Sequence, residues 1–376
     1  MKPSLAPLRF PAERSRGRRH SEPPHPYRDE FQRDRDRIVH SRAFRRLEDK
    51  TQVFAPALSD HFRNRLTHTI EVAQIARTAA TALELNEHLT EALALAHDIG
   101  HPPFAHAGEE ELNRQMSRFG EGFDHNLHAL RIVESFELRY AAFPGLNLSF
   151  EVREGIAKHS RDFDPGEIPV LDEYLPGLRP PVEAQLIDLA DEIAYNTADL
   201  DDSFSAGLFD MDSIAREIPE YAALVDDVRE LFPEAPERLQ FHETLRRLID
   251  VLVSGLIEGA WSAAAECGLK DVEQVRSCSR RVACFTPAAA RASQALKEFL
   301  RRHVYFSGDL LEGRRRVAAG VGELFQFFLD HPDELPPAHR SQARGEPLHR
   351  LVCDYIAGMT DGFFRRTYRR SLKDGG

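Results

Sequence analysis

The sequence has little cysteine and no long apolar run. Only 4 of its 376 residues are cysteine, and none of them forms a Cys-x-x-Cys pair. We therefore expect reduced thiols and no cysteine-ligated metal. No stretch approaches the ~20 consecutive apolar residues of a transmembrane helix. Residues 1–25 also lack the apolar segment of a secretory signal, so these absences predict a cytoplasmic protein that does not contact membranes.

The sequence also has fewer basic than acidic residues. Lys and Arg number 49 against 61 Asp and Glu, which gives a net charge of −12 and an isoelectric point near 5.8. This balance argues against a protein whose main task is to coat nucleic acid. It does not exclude an anionic substrate, because local patches of positive charge decide that. With 42% hydrophobic and 29% charged residues, the composition is that of a soluble globular chain.

Alternating strand patterns are scarce, and apolar spacings of three or four residues dominate from Tyr27 onward. The fold class predicted from them is all-α, with extended chain expected only near 51–55 or 146–150. Besides a helix from Leu66 to Leu83, helical patterns cover the regions around 28–49, 87–98, 125–137, 183–202, 239–266, 289–305, 308–330 and 347–363. We expect a flexible basic and Pro-rich arm at 1–26, a catalytic core at 27–235 and a C-terminal helical region at 236–376.

Histidines are concentrated between residues 61 and 128. Eight of the 17 lie there: His61, His68, His88, His97, His101, His106, His125 and His128. Imidazole and carboxylate are common ligands of divalent metals. His97 and Asp98 end an apolar helix that we expect to stop at Gly100. Burial of Asp98 is costly unless it is paired or bound to metal, although an isolated His-Asp pair is also compatible with an ordinary helix end.

Two other stretches carry residues of the same kind. His68 lies on the preceding amphipathic helix, where a lone histidine would be an ordinary, partly buried residue. Asp191, Tyr195 and Asp199 are spaced i, i+4 and i+8, so they share one face of a predicted helix. A solvated acidic face is the alternative interpretation, but the apolar residues between them favour an enclosed helix.

A further histidine has a carboxylate within reach. His106 and Glu109 are three residues apart near the start of a helix that follows Pro103, so their side chains can touch. A carboxylate next to a histidine sets its tautomer and raises its basicity. The pair is therefore a candidate for proton transfer.

Five ordered strings resemble one family. They are His40-Ser-Arg-Ala-Phe-Arg-Arg-Leu-Glu-Asp-Lys-Thr-Gln-Val-Phe54, His97-Asp-Ile-Gly-His-Pro-Pro-Phe-Ala-His106, Phe123-Asp-His-Asn126, Ala190-Asp-Glu-Ile-Ala-Tyr195 and Asp354-Tyr-Ile-Ala-Gly-Met-Thr-Asp361. Over about residues 27–370 the chain resembles the shorter bacterial deoxyguanosinetriphosphate triphosphohydrolase-like proteins of the HD metallophosphohydrolase superfamily. It departs from their pattern at Asp124 and His128, where that pattern has Glu and Gln, and at Gly362, where it has Arg. None of these three positions is an expected metal ligand.

The resemblance implies an HD-domain helical fold, a reaction and a metal. Members of the family hydrolyse a deoxynucleoside triphosphate (dNTP), such as dGTP, to deoxynucleoside and inorganic triphosphate. By resemblance, the metal ligands are His68, His97, Asp98 and Asp191. Two nitrogens and two carboxylates leave about two positions of an octahedral shell for water and phosphate. Such a set suits Mg²⁺, Mn²⁺, Fe²⁺ or Ni²⁺ better than a closed structural zinc site.

The resemblance also implies roles for other residues. His106 would be the proton donor or base with Glu109 as its partner, and His125 a second catalytic candidate. The implied substrate contacts are Arg46, Gln52, Val53, Arg65, His101, Lys158, Tyr195 and Asp199. A Tyr195 ring packed on the sugar would exclude a 2′-hydroxyl, which gives a physical route to selectivity for deoxynucleotides.

Two other kinds of function remain open at this stage. One is an HD phosphohydrolase with another substrate, such as a 5′-nucleotidase or a phosphodiesterase. The other is a nucleotide-sensing or single-stranded-DNA-binding module with a degenerate site. The resemblance further implies a homo-oligomer, with a dNTP or single-stranded DNA as effector. It leaves base preference and the native metal unspecified.

Overall fold

The structure, a computed structural model, describes residues 4–52, 62–306, 308–342 and 345–372. Within these ranges it contains seventeen α-helices and no β-strand, which confirms the all-α prediction. Its isolated bridges join Arg18 to Ser149, Thr51 to Asn64 and Leu138 to Gly145. Thr51 and Ser149 lie in the two stretches where extended chain was predicted.

The helices cover the predicted segments, whereas α7, α9, α10, α12 and α15 in the following list lie outside them. They are α1 Glu30–Val39, α2 Arg42–Arg46, α3 Arg65–Ala82, α4 Glu87–Ala96, α5 Ala105–Ser117, α6 His125–Arg131, α7 Phe150–Ala157, α8 Val182–Ser205, α9 Met211–Glu217, α10 Pro219–Leu231, α11 Glu237–Glu266, α12 Val272–Arg276, α13 Pro287–Leu300, α14 Gly308–Asp330, α15 Pro337–Gln342, α16 Leu348–Ala357 and α17 Asp361–Leu372. Short π-helical segments, Ile132–Phe136 and Arg301–Tyr305, continue α6 and α13.

Side-chain caps explain where several helices begin. The predicted helix at 28–49 is divided into α1 and α2 because the Ser41 side chain accepts a hydrogen bond from the Phe44 backbone N–H and starts a new helix. Asp124, one of the departures from the family pattern, accepts from the Leu127 N–H at 3.0 Å. A short carboxylate at this position therefore caps α6, the helix that carries His125.

The chain divides into two compact units. The first comprises Met1–Arg14, Ile70–Ala94 and His159–Leu310. Its helix α11 is long and apolar enough to cross a membrane by length and composition alone. The same helix packs on α8 and α13, and a Cβ added at Gly255 would lie 2.2 Å from the Ala289 Cβ. Core helices of soluble proteins also have this length and composition, so this helix is weak support for a membrane span.

The second unit comprises Ser15–Thr69, Leu95–Lys158 and Leu311–Gly376. Its core includes a group of buried apolar residues, most of them from α5, α14, α16 and α17 and the others from loops next to helices, which we call the C-terminal apolar cluster. The cluster consists of Leu112, Met116, Phe123, Val321, Leu324, Phe325, Phe328, Leu335, Leu351, Val352, Cys353, Ile356, Ala357, Met359 and Phe364.

Residues 1–26 were predicted to form a flexible arm, but the part of this segment that the structure describes is packed. Leu5, Leu8 and Phe10 are buried in spite of the neighbouring prolines. The Arg18 side chain is only 5% exposed, and its guanidinium pairs with Asp34 at 2.5 Å. The apolar residues between the prolines give this segment surface to bury, which the count of Pro and Arg did not reveal. The predicted domain boundary at 235 stays a prediction.

Candidate functional site

Three of the predicted metal ligands lie together in the second unit. His68 is on the first turn of α3, and His97 and Asp98 directly follow α4. One donor atom from each lies within 4.8 Å of the other two, and all three residues are buried. The two imidazole rings are 5.8 Å apart between centroids and meet edge to face. The sequence therefore places three potential ligands around one point.

A tight turn after α4 presents His97 and Asp98. The helix ends at Ala96, whereas the prediction extended it into His97 and Asp98 with Gly100 just beyond its end. Gly100 is required for another reason, because a Cβ at this position would lie 2.0 Å from the His125 carbonyl oxygen. Because Gly100 has no side chain, the turn that carries His97 and Asp98 can approach the start of α6, which carries His125.

The buried Asp98 carboxylate has positive charge beside it. Arg65 Nη1 lies 2.6 Å from Oδ2, and His101 Nδ1 lies 2.9 Å from Oδ1. Burial alone would raise the pKa of Asp98, but the charge of Arg65 and the nearby histidines hold this pKa well below its usual range. Arg65, predicted to contact phosphate, thus keeps Asp98 ionised as a metal ligand must be.

A second group of titratable side chains follows along the chain. Glu109 Oε1 lies 2.7 Å from His125 Nδ1 and accepts from the His125 N–H, whereas Glu109 Oε2 lies 3.7 Å from His106 Nδ1. The ring of His101 stacks on that of His125 at 3.9 Å. The carboxylate predicted to serve His106 therefore contacts His125 more closely.

The electrostatics of this group favour an ionised Glu109. Burial opposes ionisation of Glu109, but His106 at 3.7 Å and the hydrogen bond with His125 lower its pKa far below the usual value. Burial also lowers the pKa of His101, and the charge of Arg65 adds to this effect. The His106 side chain is 73% exposed, so it is open to a bound molecule. The arrangement can hold an ionised carboxylate beside two imidazoles.

The donors fit a divalent cation. Metal–ligand bonds near 2.1 Å place donor atoms about 3–4 Å apart, so donors within 4.8 Å of one another have room for one ion. Two imidazole nitrogens and a carboxylate oxygen suit a transition metal or magnesium rather than a thiolate-bound zinc. A divalent-metal site at His68, His97 and Asp98 is therefore chemically sound.

The fourth predicted ligand lies on α8, in the first unit. Asp191, Tyr195 and Asp199 occupy one continuous helix and share a face, as predicted. Asp191 Oδ2 is 3.9 Å from His159 Nε2, and Asp199 accepts a hydrogen bond from the Tyr305 hydroxyl. Burial, reinforced by neighbouring carboxylates, raises the pKa of Tyr195, so its hydroxyl stays protonated. The roles of these three residues stay predictions.

The other predicted substrate contacts have mixed surroundings. Arg46 Nη1 donates to the Gly358 carbonyl at 2.9 Å, and Gln52 is half-buried. Lys158 is fully buried, with Nζ 3.1 Å from Glu154 Oε1. Val53 lies outside the described residues. The structure thus gives Arg46 and Lys158 partners within the protein, and their contact with phosphate stays a prediction.

Three buried charged residues near these groups were not singled out from the sequence. Lys50 Nζ donates to the His101 carbonyl at 2.5 Å, and burial lowers its pKa to about 7. Asp354 and Asp361 contact other chain segments of the second unit. All three lie inside strings that resemble the family, which was the signal available, but nothing in their local spacing indicates their partners.

Two stretches of this chain match the models of known protein families. Residues 65–196 match the HD domain, and residues 283–370 match the phosphohydrolase-associated domain. His68, His97, Asp98 and Asp191 all fall within the HD match. The chain is therefore an HD-domain hydrolase.

Whole-chain relatives narrow the class. A protein of Bordetella parapertussis is 44% identical over 366 residues, covering 96% of this chain and 94% of the relative. One of Thiobacillus denitrificans is 44% identical over 373 residues, covering 98% of each. One of Azoarcus sp. is 46% identical over 357 residues, covering 95% of this chain and 93% of the relative. All three are named deoxyguanosinetriphosphate triphosphohydrolase-like protein, and the chain belongs to this family.

Proposed function

We propose that the protein hydrolyses deoxynucleoside triphosphates, dGTP among them, to deoxynucleoside and inorganic triphosphate. The observation that carries the proposal is the buried group of His68, His97 and Asp98, joined through His101 to the Glu109–His125 pair. A metal site beside an acid–base group is what phosphoryl transfer to water requires. The names of the relatives support a deoxynucleotide substrate.

The metal would be Mg²⁺, Mn²⁺, Fe²⁺ or Ni²⁺, held by His68, His97, Asp98 and, as a fourth ligand, Asp191. When bound, a divalent cation draws negative charge from the phosphate oxygens and acidifies a coordinated water. Arg65 holds Asp98 in its ionised form at 2.6 Å, and the buried setting strengthens the attraction between ligands and cation. The negative charge that the substrate brings also needs cations, and Arg46 and Lys158 are candidates.

Proton transfer falls to the second group. Water attacks the α-phosphorus and releases a proton to solvent, the bond from phosphorus to the 5′ oxygen breaks, and the leaving oxygen takes up a proton. His106 is exposed enough to supply it, and Glu109, ionised at neutral pH, stabilises the protonated imidazole. His125, which Glu109 contacts at 2.7 Å, orients this carboxylate or shares in the transfer. Such a group typically contributes ~10²–10⁴-fold to the rate.

Recognition of the sugar would fall to α8 and the segment around Gln52 and Val53. The Tyr195 ring is placed on the same helix face as Asp199, one turn away. The Tyr305 hydroxyl donates a hydrogen bond to Asp199 Oδ2, and a carboxylate can accept a further hydrogen bond from a substrate 3′-hydroxyl. A ring packed against C2′ excludes ribonucleotides.

The proposal also covers the location, the oligomeric state and the regulation of the protein. We expect a cytoplasmic homo-oligomer composed of an HD core and a C-terminal helical region. Regulation by a dNTP effector or by single-stranded DNA would use exposed positive charge. Arg365, Arg366 and Arg369 on α17 are exposed, and such a row can contact phosphates.

Product analysis tests the proposed reaction. The purified protein is incubated with each of the four dNTPs and with GTP, in Mg²⁺ or Mn²⁺, with and without a dNTP mixture or single-stranded DNA. Deoxynucleoside and triphosphate in equal amounts support the proposal. Monophosphate or inorganic phosphate would indicate an HD phosphohydrolase of another specificity. Binding without turnover would indicate a nucleotide sensor.

Asp191→Ala tests the fourth ligand. We expect metal content and turnover to be lost together, with helix content unchanged, because one of the ligands is removed and little of the core. Glu183→Gln on the same helix is the matched control, since Glu183 is a buried carboxylate whose partners are the Phe10 and Asn86 N–H groups. Retained metal in Asp191→Ala, measured by elemental analysis, would contradict the assignment.

A further inference from the structure

The carboxylate of Asp361 joins two segments next to the predicted acid–base group. Oδ2 accepts from the Thr51 N–H at 3.2 Å and from the Thr51 hydroxyl at 2.5 Å, and Oδ1 accepts from the Phe104 N–H at 3.0 Å. Asp361 is buried, and it is the first residue of α17. Both carboxylate oxygens of Asp361 therefore hold other segments of the second unit, one at Thr51 and the other at the start of α5.

The Phe104 contact bears directly on His106. Phe104 and Ala105 have φ values of 64° and 55°, a left-handed conformation that non-glycine residues rarely adopt. Two consecutive residues of this kind persist only where the surroundings hold them. They form the turn that starts α5, and His106 and Glu109 lie on its first two turns. The Asp361 carboxylate thus holds the turn that sets the direction of both side chains.

A second carboxylate of the same string holds the neighbouring helix. Asp354 Oδ2 accepts from Arg131 Nη2 at 2.6 Å, and Oδ1 lies 3.3 Å from His128 Nδ1. His128 and Arg131 are on α6, which begins at His125. The departure from the family pattern at His128 is therefore matched by a carboxylate partner within this chain.

Lys50, the residue before Thr51, adds a third connection. Its Nζ donates to the His101 carbonyl at 2.5 Å and to the Ala357 carbonyl at 3.4 Å. The string Asp354–Asp361 thus contacts the start of α5 and the last turn of α6, and Lys50 links it to the turn that carries His101. These contacts join residues about 220 to 310 positions apart in the sequence.

We propose that Asp361 and Asp354 are positioning residues that set the geometry of the acid–base group, Asp361 for His106 and Glu109 and Asp354 for His125. The inference rests on the proposed function for the roles of those histidines. It assigns a purpose to a C-terminal string that holds no predicted ligand or catalytic group. A misplacement of about 1 Å in a catalytic side chain can cost ~10²-fold in rate, so the effect of losing a positioning residue is measurable.

The test compares Asp361→Asn with Glu151→Gln. Glu151 is matched because it is buried and accepts from a backbone N–H, that of Arg16 at 2.8 Å, and from a hydroxyl, that of Ser15 at 2.6 Å. It contacts neither α5 nor α6 through these bonds. We expect kcat to fall at least ~10-fold in Asp361→Asn, with KM and metal content within about twofold of wild type. Glu151→Gln should lower the melting temperature without changing kcat.

Thr51→Val covers the case in which Asp361→Asn does not fold. It removes only the hydroxyl donor, so we expect a smaller fall in kcat, about 3-fold or more, again without a change in KM. Turnover within about twofold of wild type in the folded variant would overturn the inference. An equal fall in Glu151→Gln would overturn it too, because the effect would then be one of general stability.

A spectroscopic readout keeps the inference separate from the proposed reaction. The imidazole C–H resonances of His106 and His125, assigned with the single alanine variants, report local geometry without turnover. Asp361→Asn should shift the His106 resonance and Asp354→Asn that of His125, whereas Glu151→Gln should shift neither. If the wild type releases no triphosphate but these shifts occur, the proposed function fails and the positioning role stands. Unchanged resonances in both variants would overturn the positioning role.

Discussion

Two buried regions of the second unit differ in what they bury. The C-terminal apolar cluster contains aliphatic and aromatic side chains, with Leu324 and Phe325 fully buried. The second region, the predicted metal region, contains His68, His97 and Asp98, also almost fully buried. Apolar burial stabilises a fold by about 25 cal/mol per Å², whereas burial of a carboxylate costs free energy unless a partner compensates. We infer that the cluster contributes to the free energy of unfolding and that burial of the polar metal region lowers it.

Helix α5 connects the cluster to the predicted acid–base group, which adjoins the metal region through His101. Its first turns carry His106 and Glu109, and its later turns contribute Leu112 and Met116 to the cluster. A helix anchored by apolar contacts at one end can hold polar side chains in fixed positions at the other. If the two regions have separate tasks, substitutions in the cluster should change stability alone, and substitutions in the metal region should change turnover alone.

Phe325→Ala should have the largest effect and should act on stability. Removal of a fully buried phenylalanine typically costs about 3–5 kcal/mol, from lost burial and the cavity left behind. We expect a lower midpoint of denaturant unfolding, with kcat per folded molecule within about twofold of wild type. Phe363→Ala is the control because Phe363 is 39% exposed, and it should cost far less. A folded Phe325→Ala enzyme without turnover would break the comparison.

Much of the apolar side of this comparison could be predicted from the sequence. Spacings of three and four residues indicated α3, α8, α11 and α14, because a buried helix face leaves a periodic trace. The grouping of His68, His97 and Asp98 was likewise indicated by residue types and by resemblance. Helix ends were harder, as the early end of α4 shows, since the close approach at Gly100 involves a residue of another helix.

The long-range polar contacts could not be predicted. Glu109 was expected to serve His106 because the two are one turn apart, but its closest imidazole is that of His125, 16 positions along the chain. The contacts of Asp361 with Thr51 span 310 positions. Hydrogen bonds between distant segments impose no periodicity on either segment, so they become visible only in three dimensions.

His106→Ala tests the other side of the comparison. The side chain is 73% exposed, so little packing is lost and the unfolding free energy should hardly change. Turnover should fall at least ~100-fold, equivalent to about 2.7 kcal/mol of transition-state stabilisation, while metal content and substrate binding persist. His331→Ala, at an exposed histidine on the Phe327 carbonyl, is the control. Near-normal turnover in His106→Ala would leave this histidine without a catalytic role.

Gly100→Ala has the smallest expected effect. It tests whether stability and turnover both depend on the contact between the turn at Gly100 and α6. A Cβ would lie 2.0 Å from the His125 carbonyl oxygen and 2.5 Å from the Ala129 N, so the turn and α6 must separate. Overpacking of this kind costs about 1–3 kcal/mol. Because the shifted backbone carries His125, turnover should fall together with stability, unlike the outcome for Phe325→Ala.

Gly320→Ala is the matched control for this substitution. Gly320 lies inside α14, its nearest neighbour to an added Cβ is 3.6 Å away, and alanine should stabilise the helix by about 0.5–1 kcal/mol. Chemical unfolding and steady-state kinetics on both variants give the two quantities. If Gly100→Ala lowers stability but leaves kcat unchanged, the position of α6 is not critical for turnover, and the acid–base group depends on α5 alone.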